Sequence, residues 1–236
     1  MRILMTCLWV LLFQAGTAVA GDYPQGAVEP PANTRDGLHQ GLTESPQSMS
    51  SLTRVRSSIL SQVLMFEAPQ GFTTAFKEAD EKKFTQEFIR EGESVDMWSQ
   101  MIMVIGYKGL ASSPLATPMQ HAMAVGNQFR RNCPDSYSGA SLGERKIDGY
   151  AAFAAIMSCG LVKPEDPYSE ATLFIVIRGD TDFYTLQWTE RGVASSEPIR
   201  IDQAIWKGRM ASLEPIKLCP DKPGEFPLYA GCFKSR

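Results

Sequence analysis

Histidine is almost absent from this chain, and the usual metal-binding spacings are absent with it. The 236 residues contain only His39 and His121, and no Cys-x-x-Cys pair occurs. Structural zinc sites use four Cys or His ligands at short spacings, so the sequence predicts no metal site. No Gly-x-Gly-x-x-Gly, P-loop or calcium-loop pattern is present either, and we expect no cofactor.

The apolar stretch at the N-terminus is too short to cross a membrane. Ile3–Phe13 is almost wholly apolar, but a spanning helix needs roughly 20 such residues. Arg2 precedes it, and Ala-Val-Ala at 18–20 places small residues where a signal peptidase reads. Cys7 lies inside the run, which argues against lipid attachment. We expect a signal peptide over residues 1–20 cleaved after Ala20, a periplasmic or extracellular location, and no stable membrane span in the mature form.

Clustered positive charge is lacking too. The chain has 23 Lys and Arg against 26 Asp and Glu, and the signal peptide holds one of those cations. Adjacent cations occur only at Lys82-Lys83, Arg130-Arg131 and Arg145-Lys146. Because nucleic-acid-binding surfaces need a concentrated basic footprint, we expect no nucleic-acid partner.

Four cysteines follow the signal peptide: Cys133, Cys159, Cys219 and Cys232. An even number in an exported chain predicts two disulfides, for which three connectivities exist. We favour the local pairing, Cys133 with Cys159 and Cys219 with Cys232, because each pair brackets one helix-to-strand or C-terminal loop unit.

The chain divides into a leader and one domain. Residues 21–60 are rich in Pro, Gly, Ser, Thr and Gln, which predicts a flexible tether. At its end Leu52, Val55 and Ile59 have spacing that allows a short helix from Ser51. Residues 61–236 are long enough for a single domain with a substantial core, and a disulfide is expected to close its C-terminal tail.

Strands dominate the pattern of the domain. The predicted strands are 63–66, 72–78, 83–90, 101–107, 141–147, 150–161, 172–178 and 182–191. Helices are predicted at 119–131, where Thr117 is the N-cap and Pro118 the first helical residue, and at about 201–213. In the first helix Met119, Ala122, Met123, Gly126 and either Phe129 or Arg130 form the expected buried stripe. Strands joined by hairpins with few helices indicate an α+β fold, an antiparallel sheet flanked by helices.

Candidates for catalysis are few. His121 is the only histidine in the domain, and a partly exposed surface histidine is the favoured interpretation. Glu91 with Glu93 and Asp180 with Asp182 alternate in extended segments, but acids are common in turns for solubility alone. We therefore assign no catalytic residue.

Two further features suggest binding. Arg178-Gly179-Asp180 spells the adhesive tripeptide, yet it lies where a predicted core strand turns. Tyr184 and Trp188, with Leu186 between them, share one strand face; core packing is the favoured interpretation, and a ligand-contacting face is the alternative.

Two segments resemble a known family: residues 91–101 (EGESVDMWSQM) with the apolar strand after them, and residues 177–187 (IRGDTDFYTLQ) with the helix leading to Leu218-Cys219. They resemble an uncharacterised exported proteobacterial protein family that is similar to the PsbP-type α/β/α sandwich. The resemblance covers roughly 63–219. It implies structural roles for Gly92 as a turn and for Trp98 and Met101 as core anchors, and it implies no catalytic residue.

Proteins of that fold act as binding or assembly subunits in photosystems, cell envelopes and nuclear transport, so the resemblance leaves the partner open. The sequence favours a non-enzymatic exported binding or assembly protein of the bacterial envelope. Its partner would be a protein, an envelope component or a small ligand, bound at the sheet edge or in a cleft near residues 107–117. The alternatives are a secreted hydrolase of unrecognised type and a secreted effector acting on a host.

Overall fold

The computed structural model describes residues 52–162, 167–221 and 232. The predicted signal peptide, its cleavage site after Ala20 and residues 21–51 of the predicted leader lie outside the described residues. So do the loop residues 163–166 and most of the C-terminal tail.

Ten strands and two α-helices make up the described chain, with one short 3-10 helix at Leu110–Ser112. The strands are β1 (Leu52–Ile59), β2 (Gln62–Pro69), β3 (Phe72–Ala79), β4 (Lys83–Arg90), β5 (Gln100–Tyr107), β6 (Tyr137–Ile147), β7 (Tyr150–Cys159), β8 (Tyr168–Arg178), β9 (Phe183–Val193) and β10 (Lys217–Pro220). The helices are α1 (Pro118–Asn132) and α2 (Gln203–Ser212).

Seven strands form the main sheet in the order β3-β4-β5-β9-β8-β7-β6, and every neighbouring pair is antiparallel. The predicted α+β class, an antiparallel sheet with helices, is therefore confirmed. Hairpins predicted from turn signals recur in the structure. At Asp148-Gly149 both residues have positive φ, 49° and 87°, as a tight two-residue hairpin turn requires.

A second sheet of three strands, in the order β1-β2-β10, was not expected from the sequence. Strand β1 replaces the short helix predicted from Ser51, so that prediction is wrong, and part of the predicted leader belongs to a sheet. The physical reason is the neighbour: β1 pairs with the apolar strand β2 over its whole length, from Leu52 opposite Pro69 to Ile59 opposite Gln62. Paired backbone groups outweigh a weak helical spacing.

The two faces of the main sheet have different covers. One face packs against β2 and α2, and the apolar core there includes Leu64 and Phe66 of β2, Leu186 and Trp188 of β9, and Trp206 of α2. On the other face Ala122 of α1 packs with Phe153, Phe174 and Phe183. Helix α1 lies over β6, β7 and β8 on this side.

One disulfide ties α1 to the main sheet, and the other joins β10 of the second sheet to Cys232. Cys133 at the end of α1 pairs with Cys159 at the end of β7, and Cys219 of β10 pairs with Cys232. The Cα atoms are 5.9 and 5.6 Å apart, within the range that a disulfide bridges. The local pairing predicted from the sequence is the one in the structure.

Candidate functional site

Helix α1 is held at both ends. The Thr117 hydroxyl accepts a hydrogen bond from the backbone N–H of Gln120 at 3.1 Å, and the Gln120 side chain accepts one from the Thr117 N–H at 3.1 Å. This capping box satisfies two otherwise unpaired groups at the helix start. The Cys133–Cys159 disulfide ties the other end to β7. The helix is therefore ordered at both ends and can form a rigid side of a binding site.

The buried face of α1 differs from the predicted stripe. Ala122 and Gly126 are buried as predicted, but Met119 and Met123 are 40% and 58% exposed. A Cβ at Gly126 would lie 3.3 Å from the Tyr137 hydroxyl, so this glycine lets the helix approach the sheet closely. The close contact at Gly126 leaves the two methionines on the flank of the helix, which explains why the prediction for them is wrong.

A groove runs along that flank. Its cavity, about 490 Å³, lies between Met119 at the start of α1 and Lys146 and Phe153 of the β6–β7 hairpin. Met123 extends the apolar flank one helical turn further. We name the cavity and this flank the α1–β6 groove. Leu115, in the loop that leads into α1, is 80% exposed.

Charge around the groove is mainly positive. Residues 97–134 contain no Asp or Glu, although the whole chain has net charge −3. Arg130 follows Met123 by two helical turns, which places it on the same flank. The opposite wall contributes Lys146, with Glu144 as its single acid among the described lining residues; Arg145 also borders the groove, but its guanidinium contacts Met210 on the other side of the sheet. An apolar surface with cations at its margins suits an acidic partner.

Strand β6 is the edge of the main sheet within the described residues. A bulge between Ser141 and Gly143 interrupts its register with β7. Bulges on edge strands hinder the addition of a further strand. We therefore expect the groove to recognise side chains rather than to extend the sheet.

His121 is partly exposed, as predicted, but its ring packs against aromatic side chains of the sheet. Its ring centroid is 4.7 Å from that of Tyr107, 5.9 Å from Phe183 and 6.2 Å from Phe174. Nε2 is buried without a hydrogen-bond partner among the described residues, and burial lowers the pKa of the imidazole. A neutral histidine among aromatic rings has no nucleophile to activate.

The carboxylates weighed for catalysis organise backbone instead. Glu93 accepts hydrogen bonds from the Ser99 N–H and hydroxyl at 3.0 and 2.5 Å. Asp182 accepts from the Ser61 N–H at 3.1 Å, the Ser61 hydroxyl at 2.6 Å and the Gly109 N–H at 2.7 Å. Burial opposes ionisation of Asp182, but these hydrogen bonds outweigh it and hold its pKa below the usual value. Asp182 thus joins three turns.

The adhesive tripeptide is built into the fold. The Arg178 guanidinium donates to the carbonyls of Ala111, Ala116 and Ser113 at 2.8, 3.0 and 3.3 Å. The Asp180 N–H donates to Gln62 Oε1 at 2.9 Å. Arg178 therefore positions the loop before α1, and its side chain is not presented to an outside receptor.

Tyr184 and Trp188 belong to the core, so the alternative of a ligand-contacting face is wrong. They are 0% and 2% exposed, and the Trp188 ring makes an edge contact with Phe72 at 5.7 Å. The reason is the second sheet and α2, which cover this face completely around them.

The distinctive motif segment also has structural roles, as the resemblance implied. Gly92 has φ 84° in the turn after β4, and Trp98 and Met101 are buried. The Arg191 guanidinium lies 3.8 Å over the Trp98 ring and 4.2 Å over the Tyr168 ring. This stacking fixes the motif against β9.

Neither a membrane helix nor a metal cluster is found within residues 52–162 and 167–221. No helix described there is long and apolar enough to cross a membrane. No three His, Cys, Asp or Glu side chains described there converge on one point.

Comparison with known proteins gives fold neighbours of low similarity. No family model matches the chain, and no curated protein matches it by sequence. The proteobacterial family that the motifs resemble is therefore not confirmed.

Three solved structures are similar in part. The PsbP of Synechocystis sp. PCC 6803 is 14% identical, with 73% of this chain and 98% of that chain covered and a TM-score of 0.44. The Ran-binding protein Mog1p of Saccharomyces cerevisiae is 13% identical, with 67% and 84% covered and a TM-score of 0.38. LpqN of Mycobacterium tuberculosis, involved in cell envelope biogenesis, is 11% identical, with 72% and 91% covered and a TM-score of 0.36. At these scores none of them supports a statement about function.

The distribution of acidic residues along the sequence indicated the groove, although the hydrophobic periodicity of α1 did not. A stretch of 38 residues without acids, 97–134, is unusual in an acidic chain, and it includes the exposed Met119 and Met123. Charge patterning along the chain would have marked α1 as a surface for an acidic partner.

Proposed function

We propose that this chain is a non-enzymatic exported binding protein of the cell envelope, and that its α1–β6 groove holds an apolar, acidic segment of a partner protein. The observation that carries the proposal is the exposed pair Met119 and Met123 beside a cavity of about 490 Å³. Both lie on a helix without a single acidic residue.

Methionine suits such a surface. Its unbranched, polarisable side chain adapts to different apolar partners. Contiguous exposed apolar side chains on a soluble domain mark interaction sites more often than chance. Met119 and Met123 are adjacent on the helix, and the cavity beside Met119 can take one apolar side chain of the partner.

The rigidity of the helix supports binding as well. Its start is closed by the capping box and its end by the Cys133–Cys159 disulfide. A wall that is ordered before binding loses little conformational entropy when the partner arrives. Arg130 and Lys146 at the margins would steer acids of the partner into position.

Export is supported by the predicted signal peptide and by the two disulfides. Disulfides persist in the periplasm and outside the cell, and are rare in the cytosol. The paired cysteines are buried, as structural disulfides usually are.

The test uses three variants of the purified protein as bait for envelope extract. Met119→Glu and Met123→Glu place an acid in the groove, and Ala124→Glu adds the same charge at an exposed position of α1 that turns away from the groove. We expect the two groove variants to retain about a tenth of the captured partner, corresponding to about 1.4 kcal/mol, and the control to retain most of it. A synthetic peptide from the captured partner should then compete for wild-type binding.

Equal capture by all four proteins, or no protein captured, would contradict the proposal. A second arm mixes the proteins with phosphatidylglycerol vesicles. If these vesicles sediment the wild type but not Met123→Glu, and no protein is captured, the groove contacts a membrane surface and the proposed partner class is wrong.

A further inference from the structure

Arg145 is a half-buried cation that has no acidic partner among the described residues. Its Nη2 donates to the Leu142 carbonyl at 3.0 Å, and its Nη1 lies 2.7 Å from the Met210 sulfur. Nε is buried and has no hydrogen-bond partner among the described residues. Within residues 52–162 and 167–221 the ion pairs are made by other arginines.

This arrangement is energetically unfavourable for an unliganded protein. A thioether is a weak hydrogen-bond acceptor, so two of the three guanidinium nitrogens lack a good acceptor. A buried donor without an acceptor destabilises the folded state. An oxyanion would supply the missing acceptors, because the planar guanidinium matches carboxylate and phosphate geometry.

Arg145 opens onto a cavity on the side of the sheet covered by α2. The cavity has a volume of about 640 Å³ and lies between the β6–β7 hairpin, the end of α2 and the segment that enters β10. Cavities of this size hold small organic ligands. Apolar atoms of Ile147, Pro215 and Ile216 form part of the lining.

Charged groups around the cavity are three cations and two acids. Lys146 and Lys217 join Arg145, and Asp148 and Glu214 are the acids. Neither acid forms an ion pair with the cations within the described residues. Lys217 is positioned at the rim because its Nζ donates to the Cys232 carbonyl at 3.0 Å.

We propose that this cavity binds a small organic anion, in which a carboxylate or phosphate group contacts Arg145 and Lys217 and an apolar body contacts Ile147 and Ile216. Met210 moves aside so that the anion replaces its sulfur at Nη1. Arg145 and Lys146 border both the cavity and the partner groove, but the Arg145 guanidinium contacts Met210 on the cavity side, and Met210 and Lys217 line the cavity and not the groove.

Isothermal titration with four probes tests this site. Phenyl phosphate and hexanoate carry an anionic group on an apolar body, inorganic phosphate is the group alone, and hexanol is the apolar body alone. We expect one or both organic anions to bind, phosphate to bind at least about tenfold more weakly, and hexanol not to bind. The stronger of phenyl phosphate and hexanoate identifies the anionic group.

Variants then assign the binding to Arg145. We expect Arg145→Gln to weaken binding of the organic anion at least about tenfold and Lys217→Gln to weaken it less. Lys207→Gln removes an exposed cation of α2 outside the cavity and should leave binding unchanged. If Arg145→Gln does not fold, as judged by thermal unfolding, Arg145→Lys keeps the charge but loses the planar fork, and it should still weaken binding.

No binding of either organic anion to the wild type would overturn the proposal. The proposal would also be wrong if Arg145→Gln or Arg145→Lys left binding unchanged. If Lys207→Gln weakened binding as much as Arg145→Gln, the attraction would be due to non-specific charge, and the proposal would again be wrong. Peptide competition at the groove is measured separately, so each site can fail without the other.

Discussion

The two faces of strand β9 differ in the side chains that they carry. Tyr184, Leu186 and Trp188 point into the continuous apolar core under β2 and α2. Thr185 and Thr189 alternate with them and are also buried, yet the Thr189 hydroxyl lies 2.9 Å from that of Thr172 on β8. Along β9, one face is therefore mainly apolar and the other is partly polar.

Strand β4 shows a similar difference between its two faces. Phe84 and Phe88 belong to the apolar core, whereas Glu87, between them, is 0% exposed and neither of its carboxylate oxygens has a hydrogen-bond partner among the described residues. Its cross-strand neighbours are Phe76 and Met103, which cannot donate. Stability therefore comes mainly from the apolar face, and the opposite face contains a group that opposes it.

The largest expected effect comes from the apolar face. Leu186→Ala should lower the free energy of unfolding by about 2 to 5 kcal/mol, because it leaves a cavity in a fully buried cluster. Thr185→Ala, one residue earlier and on the other face, should have a smaller effect of about 1 to 2 kcal/mol. Urea unfolding measures both, and equal effects would remove the distinction between the faces.

Glu87 gives the next largest effect, and its sign depends on pH. Burial raises the pKa of Glu87 to about 7, although Lys83 counteracts this. Between about pH 4.5 and 7 the unfolded chain releases this proton while the folded chain keeps it, so the free energy of unfolding falls as pH rises. Above pH 7 the loss, up to about 3 kcal/mol, is complete.

Glu87→Gln removes this titration. Its free energy of unfolding should change less than that of the wild type between pH 4.5 and 8, and it should exceed the wild-type value at pH 8. Glu91→Gln, at an exposed position of the following turn, is the matched control and should follow the wild type. A wild type whose stability does not decrease over this range would show that Glu87 ionises without penalty.

The smallest effect compares the helices that cover the two faces. Thr117 caps α1, and the Asp202 carboxylate caps α2 by accepting from the Ala204 N–H at 2.9 Å. Thr117→Ala and Asp202→Ala should each lower the free energy of unfolding by about 1 kcal/mol. Ser113→Ala, at an exposed position before α1, should stay within about 0.5 kcal/mol of the wild type. If the two variants lower the free energy of unfolding by different amounts, the helix with the larger loss depends more on its N-cap.

Much of the architecture could be predicted because its signals are local. Thr117-Pro118 marks the start of α1 and Asp148-Gly149 marks a hairpin, and each depends on backbone groups within a few residues. Alternation along β9 placed Tyr184 and Trp188 on one side. It did not say what covers that side, which is why a ligand face stayed open as an alternative.

Other features could not be predicted because their partners are far away in the chain. Strand β10 pairs with β2 across about 150 residues, Leu218 opposite Leu64, and four residues are too few to signal a strand. Met119 and Met123 fit a buried stripe by spacing, and only the contact of Gly126 with Tyr137 and Met157 turned them outward.

The sequence by itself determined the elements, their turns and the class of fold, because hydrogen bonding and φ preferences act over a few residues. Only the tertiary structure decided which residues are covered. It buried Glu87 and the Nε2 of His121, exposed Met119 and Met123, and left Arg145 facing a cavity with no acidic partner among the described residues. Burial and charge pairing are properties of segments that meet in space, and periodicity along one segment does not specify its neighbours.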